Sequence, residues 1–213
     1  QGLGSHPILG QSVCQFGLIP ADLLNDFTYD TSQWPCPPDQ GVGWTGFISS
    51  MFMHGGWMHL LGNLWFLWVF GDNVEDAMGH KRFALFYLLC GLAAAATQVV
   101  VDTQSAIPMV GASGAIGGVM GAYIMLYPRV KVHMLFVMVV FITTIRVPAV
   151  LMLAYWAFVQ FAGGLSSLGT TGGGVAFWAH IGGFIAGAVL VFAFKDQQLL
   201  ARHPCYGWRE PRH

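Results

Sequence analysis

Residues 109–129, MVGASGAIGGVMGAYIMLYPR, decide how this chain is read. The run is uncharged until its last residue and opens on a serine among small neighbours, Gly111-Ala112-Ser113-Gly114. It stops at Pro128-Arg129, because proline cannot continue the helical hydrogen bonding and pushes the residue before it out of the helical region. The pattern predicts an apolar helix over 112–127 with a hydroxyl at its mouth. Ser113 lies about 14 residues before Tyr127, roughly 21 Å at 1.5 Å per residue. A hydrocarbon core is about 30 Å thick, so a serine at that helix's start lies recessed within a bilayer.

The rest of the composition asks for a bilayer. Of 213 residues, 55% are hydrophobic and 9% charged, whereas soluble chains carry about 25% charge. So few charges cannot cover a water-facing surface, and the fold class expected is an all-α polytopic membrane protein. A net charge of −1 gives no case for nucleic acid. Four cysteines make no disulfide scaffold, although Cys14 and Cys36 can pair if their segment faces an oxidising compartment.

Outward from the serine helix, four more spans are expected, at 46–70, 83–101, 147–162 and 175–194. Residues 1–45 hold no span-length run and read as an extramembrane loop, 46–196 as the transmembrane domain, and 197–213 as a cytoplasmic tail. Residues 132–145 are apolar but too short to cross, which suits an interfacial or re-entrant segment. Residues 163–174, rich in Gly, Ser and Thr, read as a flexible loop. Basic residues cluster at Lys81-Arg82, at Arg129 and Lys131, and at Lys195 and Arg202. Placing these ends in the cytoplasm puts the 1–45 loop outside. The chain begins at Gln1, and a further span is expected upstream.

Polar groups inside spans are expensive and point to function by default. Counted back from each expected cytoplasmic end, His180 (from Lys195) lies at roughly 22 Å and His59 (from Asp72) at roughly 19 Å, with Asn63 one turn deeper. Three helices thus deliver Ser113, His180, His59 and Asn63 to one layer. Gly117 and Gly121 bare one face of the serine helix below Gly114, and Gly183 and Gly187 bare the helix of His180. Small-xxx-small faces let helix backbones approach closely. A histidine beside a hydroxyl is the minimal activated nucleophile, and the unpaired N–H groups of a helix start favour a developing oxyanion. Singly, Ser113 reads equally well as a helix cap, and His180, His59 or Asn63 as interhelical glue; the shared depth favours a site. The sequence has no H-E-x-x-H and no intramembrane aspartate pair, so neither a metal centre nor an aspartyl mechanism is expected.

Three motifs in combination resemble the rhomboid intramembrane serine proteases over residues 16–196. They are His54-Gly55-Gly56-x-x-His59-x-x-x-Asn63, then Gly111-Ala112-Ser113-Gly114, then Ala179-His180-x-x-Gly183-x-x-x-Gly187. The resemblance implies a rhomboid-like helical bundle of six spans, whose first lies upstream of the five visible here. It implies a Ser113–His180 dyad without a carboxylate or cofactor, and an oxyanion site formed by His59, Asn63 and the Ser113 N–H. It implies transmembrane protein substrates, and a multi-pass protein of the cell membrane with its active site open to the outer face. Some relatives place an aromatic four residues after the serine, against the histidine; here that position is Gly117. The alternative is a non-catalytic rhomboid-like protein that binds membrane helices, for which the Ser/His pair is superfluous. A solute transporter is disfavoured because no inverted repeat is visible.

Overall fold

The computed structural model describes residues 7–24, 36, 41–138, 141–168 and 175–202. Helices α1 (Pro7–Phe16), α2 (Pro20–Leu23) and α3 (Gly46–Ser49) lead in, and a 3-10 turn, Ser50–Phe52, follows. The body is α4 (Trp57–Asp76), α5 (His80–Val101), α6 (Ser113–Leu126), α7 (Ala149–Ser167) and α8 (Phe177–Phe194), with α9 (Gln197–Arg202) behind. By length and composition α5, α7 and α8 are able to cross a membrane. Helix α6, at 14 residues, is shorter, and α4 has 20 residues but ends among Asp72, Glu75 and Asp76. The protein is a mostly helical, multi-pass membrane bundle.

Helix α6 is the axis. Gly114 to Tyr123 are all buried, and its glycine-rich surface lets α4, α5 and α8 close around it. Lipid tails are as apolar as leucine, so what holds such helices together is close packing rather than hydrophobic burial. Phe70, Phe86, Cys90, Val119, Tyr127, Leu153 and Val191 fill the gaps. Helix α7 lies at the rim, with Leu151, Tyr155, Phe158 and Phe161 exposed.

The two ends of the bundle differ. At the basic end Tyr127 Oη donates to Asn73 O at 2.9 Å, Asp196 N donates to Ala77 O at 2.8 Å, and Arg82 pairs with Asp196 at 3.4 Å. At the other end Leu18 and Met109 exchange backbone bonds of 3.0 and 2.8 Å, Ser49 Oγ donates to Phe16 O at 2.7 Å, and Cys14 is disulfide-bonded to Cys36. A disulfide suits an oxidising side of the membrane, opposite the basic end.

Two local expectations are corrected, and the segment expected as interfacial or re-entrant takes a definite form. The first long helix starts at Trp57, not at 46, because Gly56 adopts φ 157° and breaks the chain after the short turns of 46–52. Residues 132–145 lie in an antiparallel hairpin, β1 (Lys131–Met138) with β2 (Phe141–Pro148), in register from Lys131↔Pro148 to Met138↔Phe141. A β-branched run too short to span as a helix satisfies its backbone by pairing with itself. Helix α7 continues through Gly163 and Gly164 to Ser167, inside the expected loop. A Cβ at those two positions would stand 2.5 Å from Phe177 and 3.0 Å from Trp178. That aromatic packing offsets the roughly 1 kcal/mol per glycine lost in a helix. The remainder of that loop, 169–174, most of the leading segment and tail residues 203–213 lie outside the described residues.

Candidate active site

Ser113 is the first residue of α6, and the chain reaches it through Gly111 at φ +124°, a conformation closed to side chains. Gly111 is fixed by its N–H donating to Ser50 O at 2.9 Å. A Cβ there would stand 2.8 Å from the His59 ring, so the missing side chain is what lets His59 lie beside the serine loop.

His180, on α8, brings its Nε2 to 2.7 Å from Ser113 Oγ. The approach rests on the glycines. A Cβ on Gly117 would be 2.9 Å from His180 O, one on Gly121 2.9 Å from Phe184 C, and one on Gly183 2.9 Å from Gly114 C. One on Gly187 would be 2.5 Å from Gly118 Cα. All four meet backbone of the facing helix, which has nowhere to go. Gly114 is different: its nearest neighbour is Ala94 Cβ of α5, at 2.6 Å.

His59 and Asn63 line the same cavity of about 380 Å³ as Ser113 and His180. Gly55 N–H donates to His59 Nδ1 at 3.3 Å, so neutral His59 carries its proton on Nε2, as a donor. Asn63 is buried, and among the described residues its Nδ2 finds no acceptor. An amide N–H₂ left unpaired in an apolar bundle costs free energy, and an acceptor arriving in the cavity would recover it. His54 stacks edge-on against His59 with centroids 5.2 Å apart. Among the described residues no group of three or more His, Cys, Asp or Glu is placed to hold a metal ion.

Sequence reasoning missed two neighbours of His180. Gln160 Oε1 stands 2.8 Å from His180 Nδ1, and the Trp156 ring lies 5.9 Å from the imidazole, tilted by 39°. Both come from α7, one helical turn apart. Trp156 supplies the aromatic contact that Gly117 does not. The signal was present: Gln160 is the one polar side chain in the expected 147–162 span that is neither hydroxyl-bearing nor aromatic, and a buried amide in a span seeks a partner. Gln98, likewise buried, accepts from Ala179 N–H at 3.3 Å, satisfying an orphan donor in the first turn of α8.

A serine, two histidines and an amide share one cavity at a helix mouth, the kinds of group that acyl transfer requires. Comparison with known proteins agrees with the motifs. The Rhomboid domain model matches residues 41–197. RHOMBOID-like protein 4 of Arabidopsis thaliana is 32% identical over 80% of this chain and 37% of its own length. RHOMBOID-like protein 6, mitochondrial, of the same plant is 28% identical over 78% of this chain and 46% of its own. Rhomboid protease GluP of Bacillus subtilis is 37% identical over 37% of this chain and 15% of its own. The chain spans about half or less of the length of these curated relatives. With the domain matched across most of its residues and the three motifs gathered around one cavity, the chain belongs to the rhomboid family.

Proposed function

We propose that this protein is an intramembrane serine endopeptidase that cleaves transmembrane segments of other membrane proteins. The observation that carries the reading is the 2.7 Å contact of Ser113 Oγ with His180 Nε2, inside a cavity that also holds Asn63 Nδ2, which has no acceptor among the described residues. Ser113 Oγ attacks the scissile carbonyl carbon while its proton passes to His180 Nε2. The carbonyl oxygen becomes an oxyanion, which accepts hydrogen bonds from Asn63 Nδ2, His59 Nε2 and the Ser113 N–H. His180 then returns the proton to the leaving amine, the C–N bond breaks, and Ser113 is left acylated. Water attacks the ester with His180 again as base, which releases the acid and restores the hydroxyl.

Two features support lateral entry of a substrate helix. Helices α4 and α7 flank the cavity with Met58, Phe66 and Trp156 yet scarcely touch each other, and both present exposed apolar side chains to the lipid. The disulfide and the basic ends support a cell-membrane protein with its site toward the outer face. The test is cleavage of a co-reconstituted single-span substrate: Ser113→Ala and His180→Ala are each expected to abolish it. Undiminished cleavage by either variant would overturn the reading.

A further inference from the structure

We infer that Gln160 of α7 is a positioning residue that selects the working tautomer of His180; this rests on the proteolytic reading of the Ser113–His180 pair. A histidine that accepts a proton at Nε2 must carry its own proton on Nδ1. An amide oxygen only accepts, so Gln160 Oε1, 2.8 Å from Nδ1, holds the proton on that nitrogen. Nε2 then offers a lone pair to Ser113 O–H at 2.7 Å. The reverse amide orientation would donate to Nδ1, put the proton on Nε2 and make Ser113 the acceptor, which cannot activate it. The amide is buried at 9% exposure, so water competes poorly for the imidazole.

Gln160 does not touch the reacting atoms; it acts through His180. It is anchored by the face of α7 that it shares with Leu153, Trp156 and Gly164. Leu153 lies in the core, Trp156 packs on His180 and on Phe184 at 5.8 Å, and Gly164 seats Trp178. The rim helix thereby holds the base from two sides, by a ring and by an amide. No carboxylate is needed for that task.

The experiment uses the full chain with ¹⁵N-labelled histidine in lipid nanodiscs. The His180 resonances are identified by their loss in His180→Gln, and the same protein is assayed on a single-span substrate. Wild type is expected to show His180 protonated on Nδ1 and bare on Nε2. Gln160→Met keeps the length of the side chain but cannot hold the proton. It should move His180 toward the other tautomer and lower kcat by about 10–10²-fold with KM within about twofold, as expected when a base is misoriented. Gln160→Glu, which restores an acceptor, should regain the wild-type tautomer and most of kcat. The inference is overturned if Gln160→Met retains the wild-type tautomer, or if Met and Glu variants lose kcat equally. Should wild type cleave nothing, the proteolytic reading fails by itself, while the tautomer of Gln160→Met still decides the role of Gln160.

Discussion

Replacing Gly183 by alanine tests whether helix contact sets the Ser113–His180 distance. The added Cβ would lie 2.9 Å from Gly114 C, and closer still to the Gly114 carbonyl oxygen. Carbon atoms pack best at about 3.5–4.0 Å, so α8 has to withdraw from α6 by roughly 1 Å. Gly114 adjoins Ser113 and His180 sits one turn before Gly183, so the withdrawal falls on the Ser113–His180 contact. The Ser113–His180 separation, 2.7 Å at present, would open past the roughly 3.2 Å limit of a hydrogen bond. Misplacement by about 1 Å is able to cost about 10² in rate, and overpacking a close helix contact costs about 1–3 kcal/mol. We expect Gly183→Ala to lower kcat by about 10²-fold in proteoliposomes, with a lowered thermal midpoint in detergent. Gly62→Ala, whose Cβ meets nothing within 4 Å, is the stability control and should fall no lower than wild type. Wild-type kcat in Gly183→Ala would refute the view that the glycine contact sets the geometry.

Asn63→Ala removes a cavity donor that has no acceptor among the described residues; kcat should fall by about 10²–10³-fold while KM changes little, and a rise in KM with kcat unchanged in steady-state cleavage would argue for a substrate-binding role instead. Gln98→Leu orphans Ala179 N–H in the first turn of α8; a loss of about 1–3 kcal/mol is expected in detergent unfolding, since a buried donor left unpaired forfeits its desolvation cost, and unchanged stability would mean that another acceptor serves that donor.

Much of the architecture was written in the chain. Spans come from local composition, because no backbone survives in hydrocarbon unless it bonds within itself, so runs such as 83–101 and 175–194 mark helices without reference to neighbours. The place of Ser113 at the start of α6 likewise follows from counting residues back from Pro128. The hairpin at 131–148 was not legible because a short apolar run is ambiguous by periodicity alone. The start of α4 was misplaced because Gly56 is an ordinary glycine until its φ is known. Helix α7 ran past its expected end because aromatic partners on α8, remote in sequence, hold two glycines in helical form.

The same division holds at the site. Residue type and spacing along each helix were enough to single out Ser113, His180, His59 and Asn63, which line one cavity, and the bare glycine faces at i+3 and i+4 spacings that allow two backbones to close. Those properties are local, set by helix rise and side-chain size. Which residues touch is a property of the assembled bundle: Gly111 leaves room for His59, Gln98 accepts from Ala179 N–H, and α7 turns Trp156 and Gln160 onto His180. Such contacts depend on the rotation of one helix about its axis against another. That angle is fixed by packing across the bundle, not by any stretch of sequence.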